Sequence, residues 1–273
     1  MDIETVARLE AAETATVQAL VDALVAGGST DPVPTAVPLA GGLMVVTGGG
    51  RYVNRAVGVT LAELRAEDVS TVVRHYADAG LPAAVQLSSW APAATVSALG
   101  AAGFVPVWCR SVLVADAAVV TAPRSPAPNP GVEVVAVGDD AARAVGAADV
   151  MAAEALGRGA GRTASDEFMA ADRRANGTTQ LLALLDGEPV GCGSLSVVAA
   201  GGYRTGWLGA AATVPQARGN GVQTALVRHR LRLAAEAGCD LVGATTSVGS
   251  TSTRVLGRCG FVLVQEQWVV QRS

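Results

Sequence analysis

Val214-Pro-Gln-Ala-Arg-Gly-Asn-Gly-Val-Gln-Thr-Ala-Leu226 joins the end of an apolar strand to the start of an amphipathic helix through a turn carrying two glycines. A turn of this kind aims several backbone N–H groups at one point, and the helix dipole adds partial positive charge there, so the point suits a pyrophosphate. Glycine serves because a side chain would block close approach of the anion and the turn calls for positive φ. The stretch also fixes a strand–turn–helix order, and a strand returning through a helix to another strand requires a parallel pair.

The neighbouring pattern adds an antiparallel element. Val132–Val137 reads as a strand, followed by helical segments over Asp139–Leu156 and from about Ser165. Gln180–Leu185 and Pro189–Val198 are strands joined by Asp186-Gly187, a two-residue hairpin signal. Trp207–Val214 is the next strand. The helix over Gly221–Ala237 places Val222, Ala225, Leu226, His229 and Leu233 on one stripe, with Arg228, Arg230 and Arg232 mostly elsewhere. Leu241–Thr246, a short helix over Thr251–Cys259 and a strand from Gly260 complete the order. A hairpin beside a strand–helix–strand unit predicts an α/β architecture in which a mixed sheet carries helices on its faces.

All 20 basic residues are arginine, so lysine is excluded from every catalytic role, and a phosphate-binding loop ending in Gly-Lys-Ser/Thr is excluded with it. Residues 1–130 carry 7 Arg against 11 acids and residues 131–273 carry 13 against 13, which gives nucleic acid no basic surface to prefer. No apolar run approaches the ~20 residues of a membrane helix, and the acidic start lacks a signal-peptide layout, so a cytoplasmic protein with no membrane partner is expected. Cys109, Cys192, Cys239 and Cys259 form no CxxC or Cys/His cluster, and His75 and His229 lie far apart, so no metal site is expected.

Thr121-Ala-Pro-Arg-Ser-Pro-Ala-Pro-Asn-Pro-Gly131 packs four prolines into eleven residues and reads as a stiff connector. Across it runs an echo: Leu99-Gly-Ala-Ala-Gly-Phe-Val-Pro-Val107 matches Leu256-Gly-Arg-Cys-Gly-Phe-Val-Leu-Val264 at six of nine positions, 157 residues apart. The first half has strands at Gly42–Thr47, Ala56–Thr60 and Leu81–Leu87 and helices ending at Ala79 and Ala102. It shows no glycine turn leading into a long helix. It reads as a diverged copy of the second half without the anion site, walling a pocket. Asn54 and Arg55 there fit a turn better than a ligand site.

The element order together with Arg218-Gly-Asn-Gly-Val-Gln223 resembles the GCN5-related N-acetyltransferase (GNAT) superfamily, whose acyl-CoA signature is Arg/Gln-x-x-Gly-x-Gly/Ala. Arg218 and Gly221 match, Gln223 departs from Gly/Ala, and Pro215, Gly260-Phe261 and Ser250-Thr-Ser-Thr-Arg254 also fit. The resemblance covers 132–273. It implies two GNAT-like domains, each a mixed central sheet flanked by helices: 1–120 degenerate, 121–131 a linker, and 132–273 binding acetyl-CoA. It implies that the amides of Arg218, Gly219, Asn220, Gly221, Val222 and Gln223 hold the pyrophosphate, that Ala212, Thr213 and Val214 pair with the pantetheine as a strand edge, and that Ser250 reaches the coenzyme or caps its helix. Gln223 is expected to point along the helix.

Transfer to an amine requires a polarised carbonyl and a proton for the leaving thiolate. By resemblance, an amide at Thr213 or Val214 polarises the carbonyl. Relatives carry a tyrosine where this chain has Leu256, leaving Ser252, Cys259 or water to supply the proton. Glu154, Asp166, Glu167 and His229 are weak candidates for a base. Two readings stay open: an N-acyltransferase acting on a small-molecule or peptide amine, or a non-catalytic CoA-binding or protein-interaction module. Acceptor and oligomeric state are not encoded.

Overall fold

The computed structural model describes residues 2–30, 32–49, 51–117, 129–137, 170–172 and 174–272. The first half runs α1 (Ile3–Ala26), β1 (Thr35–Leu39), β2 (Gly42–Val46), β3 (Ala56–Val57), α2 (Ala66–Asp78), β4 (Ala83–Ser88), α3 (Ala93–Ala101) and β5 (Val105–Asp116). The second runs β6 (Val132–Ala136), β7 (Thr178–Leu185), β8 (Glu188–Ala200), β9 (Tyr203–Thr213), α4 (Val222–Glu236), β10 (Leu241–Ser247), α5 (Thr251–Arg258) and β11 (Val262–Arg272). The helical segments expected over 139–156 and from 165, with Glu154, Asp166 and Glu167, lie outside the described residues, apart from helical residues 170–172 and 174.

Local chemistry explains most boundaries. Asp186 and Gly187 take φ of +52° and +86°, the backbone of a two-residue turn whose twist suits the β7–β8 hairpin. Asp2 starts α1 by accepting the amide of Thr5 at 2.9 Å. The helix α1 was not anticipated from the sequence, although Val6, Leu9, Val17, Leu20, Val21 and Leu24 give it a buried face.

All strands join one sheet in the order β1-β2-β3-β4-β11-β5-β10-β9-β8-β7-β6. Only β3–β4 and β9–β10 are parallel pairs. The halves therefore do not close two separate sheets. The helix α3 leads from β4 to β5, but β11 lies between those strands; α5 leads from β10 to β11, but β5 lies between them. Each half fills the vacancy in the other. In the β5–β11 ladder Arg110 faces Gln267, and these residues stand 157 apart, the separation of the sequence echo. The local two-fold axis thus passes between them.

Alternation along the strands assigns the two faces of the sheet. Val112 and Val114 of β5 pack with Leu9 and Ala12 of α1 and with Trp207 of β9. Leu113 and Ala115 of the same strand pack with Leu208 and with Val227, Leu231 and Ala234 of α4. The first-half helix α1 therefore covers one face of the second half's strands, while α4 and α5 cover the other.

Candidate functional site

The parallel pairing of β9 with β10 ends at Leu208 and Ala244, while β9 continues to Thr213 and β10 to Ser247. The strands part beyond that point and leave a wedge in the sheet. A bulge sharpens it: Cys192 pairs with Ala212 and Ser194 with Gly209, so Ala210 and Ala211 oppose the single Gly193, and Ala210 takes φ +46°. A cavity of about 500 Å³ occupies the wedge. Its wall includes Glu13, Thr16, Val17 and Leu20 of α1, and also Gln223, Val227 and Arg230 of α4 with Val255 and Leu256 of α5. The wall thus draws residues from the helices on both faces of the sheet.

The glycine turn lies at the α4 side. Gly219 and Gly221 take φ of +84° and +77°, values that favour glycine, and Gly221 is the N-cap of α4. The amide of Arg218 is spent on Pro215 O at 3.2 Å within a short 3-10 turn, which narrows the expected ring of donors by one. The amides of Gly219, Asn220, Gly221, Val222 and Gln223 meet no acceptor among the described residues, and the first turn of α4 carries no acid. Free donors at a helix N-terminus suit a diphosphate. Asn129, at the end of the proline-rich segment, braces the turn by donating to Asn220 O at 3.1 Å.

Other expected residues are placed differently. Gln223 does not point along the helix. Its Nε2 reaches back to Ala212 O at 2.7 Å and Thr213 Oγ1 at 2.9 Å, tying α4 to the edge of β9. Val214 donates its amide to Val190 O at 3.0 Å across the sheet, so it is not free to polarise a carbonyl. Thr213 precedes that bonded pair, and alternation turns its N–H away from β8 and into the wedge. Its carbonyl is met by Arg218 Nε at 3.4 Å. Ser250 caps α5, accepting from Thr253 N at 3.3 Å, and also lines the cavity. Ser252 is exposed at the cavity wall. Leu256 is buried in the wall, whereas Cys259 does not line it. His229 is half-buried beside Arg232 Nη2, 3.0 Å from Nδ1; burial and the Arg232 charge lower its pKa, and it stands outside the cavity wall.

On the α1 face the wall carries a polar network that the sequence did not expose. Glu13 is buried and pairs with Arg110 and, at 3.4 Å, with Arg55. Gln86 Nε2 donates to the other Glu13 oxygen at 2.9 Å, Arg55 Nε donates to Gln86 Oε1 at 2.8 Å, and Arg110 Nε donates to Gln267 Oε1 at 2.8 Å. Burial pushes the Glu13 carboxyl up, but the charges of Arg110 and then Arg55 outweigh it and hold it below its ordinary value. Asn54 keeps to the turn, accepting from Thr47 N at 2.8 Å, while Arg55 leaves the turn for the cavity. Tyr52, Trp108 and Asp172 complete this side. On the other face, Arg230 is 2% exposed rather than off the buried stripe as its spacing suggested; Val222, Leu226 and Arg230 fall on one face at i, i+4 and i+8.

Residues 150–261 match the family model described as the acetyltransferase (GNAT) family. That segment belongs to the GNAT acetyltransferases, and membership implies transfer of an acyl group from acyl-CoA. Among solved structures, the chain is similar over 96% of its length to 95% of a GCN5-related N-acetyltransferase from Kribbella flavida, with TM-score 0.66 and 18% identity. It is similar over 94% of its length to 94% of a tandem GNAT protein from the clavulanic acid biosynthesis pathway, with TM-score 0.60 and 16% identity. At these identities the likeness establishes the fold: two GNAT-like units in one chain. No curated protein is significantly similar in sequence. No helix among the described residues is long and apolar enough to cross a membrane, and no group of three or more potential metal ligands occurs among them.

Proposed function

We propose that the protein is an N-acyltransferase that moves an acetyl or related acyl group from acyl-CoA to an amine, with the two substrates meeting in the wedge between β9 and β10. The observation that carries this reading is the cavity where β9 and β10 part, beside five amides at residues 219–223 that meet no acceptor among the described residues. The diphosphate rests on those amides, and the thioester arm follows α4 inward. The amine enters from the α1 face, past Glu13, Arg55 and Tyr52. Thr213 N–H and the bulged main chain at Ala210 and Ala211 are positioned to polarise the thioester carbonyl. The amine nitrogen attacks the carbonyl carbon, the C–S bond breaks, the amine loses a proton and the thiolate gains one. Ser252 and solvent serve the thiolate on the α5 side, and holding both partners in one slot supplies much of the acceleration.

Leu256, where relatives carry a tyrosine, supports the second reading, a module that binds acyl-CoA without turnover. Calorimetric titration with acetyl-CoA on the wild type and on Asn220→Glu tests the shared premise. Asn220 is exposed and non-glycine, so the substitution places negative charge at the turn without backbone strain. Affinity should fall at least tenfold, about 1.4 kcal/mol; equal or absent binding in both proteins sinks both readings. A thiol-release assay over a panel of amines then separates them, since release with any amine excludes the module.

A further inference from the structure

A buried cation without a carboxylate is the least explained feature of the cavity wall. Arg230 is 2% exposed, and among the described residues it has no ion pair. Its Nε donates to Leu226 O at 3.2 Å, and Nη1 is shared between Ser194 O and Gly209 O, both at 3.3 Å. Nη2 has no partner within the described residues, yet it is not among the buried atoms left unsatisfied, so it retains an open approach. Arg230 is part of the cavity wall, which gives Nη2 an opening to face. Three carbonyl contacts of 3.2–3.3 Å do not balance a full charge removed from water. Burial accordingly pulls its pKa down to about 10, which still leaves it charged at neutral pH.

The sequence makes room for this cation. A Cβ on Gly193 would stand 2.9 Å from the Arg230 guanidinium carbon, so a residue with a side chain at 193 would displace the group. Gly193 is also the residue opposite the β9 bulge, which sets the cation against the parted strands.

Position along α4 says which substrate meets it. Gln223, Val227 and Arg230 lie at i, i+4 and i+7, the same helix face, and all three line the cavity. Gln223 adjoins the amides of the glycine turn, and Arg230 stands about 10 Å deeper at 1.5 Å per residue. Both belong to the α4 face, opposite the Glu13 network. We infer that Arg230 Nη2 receives a carboxylate at the inner end of the acyl group, so that the preferred donor is a CoA thioester of a dicarboxylic acid, of the malonyl or succinyl class, rather than acetyl-CoA. This rests on the acyl-CoA reading above and deepens it.

Calorimetry on the full chain tests the inference with CoA, acetyl-CoA and succinyl-CoA, on the wild type, Arg230→Met and Arg230→Lys. The wild type should bind succinyl-CoA at least tenfold more tightly than acetyl-CoA. Arg230→Met should bring the two within about twofold while leaving CoA itself unchanged, and Arg230→Lys should restore part of the preference. A bulge-supporting role alone would weaken all three ligands together. Equal affinities in the wild type, or a preference that survives in Arg230→Met, overturn the inference while the acyl-CoA reading stands. Absence of CoA binding overturns both. Should Arg230→Met fail to give a cooperative melt, Arg230→Gln replaces it under the same criteria. A parallel rate assay with β-alanine and ethylamine as acceptors covers the other source of a carboxylate: Arg230-dependent preference for β-alanine, without thioester preference, overturns the assignment to the acyl arm.

Discussion

β3 and β9 each run parallel to a neighbouring strand, β4 and β10, and each leads into a helix, α2 and α4. The two junctions spend their backbone donors in opposite ways. After β9, five consecutive amides meet no acceptor among the described residues and the helix opens without an acid. After β3, Leu64 N donates to Thr95 Oγ1 at 2.9 Å, Thr95 Oγ1 donates to Ala62 O at 2.8 Å, and Arg65 N donates to Asp68 Oδ2 at 2.9 Å. Leu64 and Thr95 are buried, and Glu67 and Asp68 place negative charge in the first turn of α2. Thr95 stands 157 residues before Ser252, the echo distance, yet one seals its junction and the other faces an open wall. The same topology therefore yields a turn with unmatched donors or a packed corner according to a few side chains near the helix start.

The first half then contributes to the site from outside its own corner, and the largest effect should come there. Glu13→Ala removes the one carboxylate shared by Arg55 and Arg110 and should destabilise the protein by about 3–5 kcal/mol, because buried cations are left uncompensated. A loss of less than about 1 kcal/mol in urea unfolding would show that Arg55 and Arg110 do not depend on Glu13 for their compensation.

Next in size is a pH effect one helical turn away. Burial, assisted by the charge of Glu13, raises Glu10 from 4.5 to about 7, against the opposing influence of Thr60 and Arg110. Folding then favours its protonated form, so this group's contribution falls as pH rises from about 4.5 through 7, by about 3 kcal/mol in total. Glu13 has the opposite sign: its low folded value gives stability above the ordinary carboxylate range that is lost as pH falls through that folded value. Urea unfolding of Glu10→Gln between pH 5 and 8 should lose the downward slope seen in the wild type. An unchanged slope would show that Glu10 is not the group responsible.

Smallest, and closest to the comparison itself, are the paired residues. Thr95→Val deletes both bonds of the sealed corner and should cost about 1–3 kcal/mol with acetyl-CoA affinity unchanged. Ser252→Ala should shift stability by no more than about 0.5 kcal/mol. If Thr95→Val instead created a second equivalent of bound acetyl-CoA, the first corner would be a masked site rather than a lost one.

Features governed by neighbouring residues were legible in the sequence. Asp186-Gly187, the glycine turn, α4, α5 and the mixed sheet follow from turn chemistry and periodicity. What was not legible depends on distant partners. The echo revealed two related strands, but nothing local says that Val105–Asp116 pairs with Leu241–Ser247 and Val262–Arg272. Glu13, Arg55, Arg110 and Gln267 look like ordinary surface residues until that pairing gathers them. Arg230 was misplaced because an arginine in a helical pattern is assigned to solvent, although its spacing from Val222 and Leu226 marks the buried face. The reach of Gln223 to Ala212 needed the bulge, which leaves no mark in an Ala-rich strand.

The exchange of β5 and β11 has a consequence for biogenesis. During synthesis the first half emerges with a slot between β4 and β5 that only residues 262–272 can fill. Until the ribosome has delivered them, β4 keeps an unpaired edge and the axis residue Arg110 lacks Gln267. The early half is thus obliged to wait, exposed to chaperones and to illicit strand pairing, and a stalled or prematurely terminated chain cannot leave behind a finished first unit.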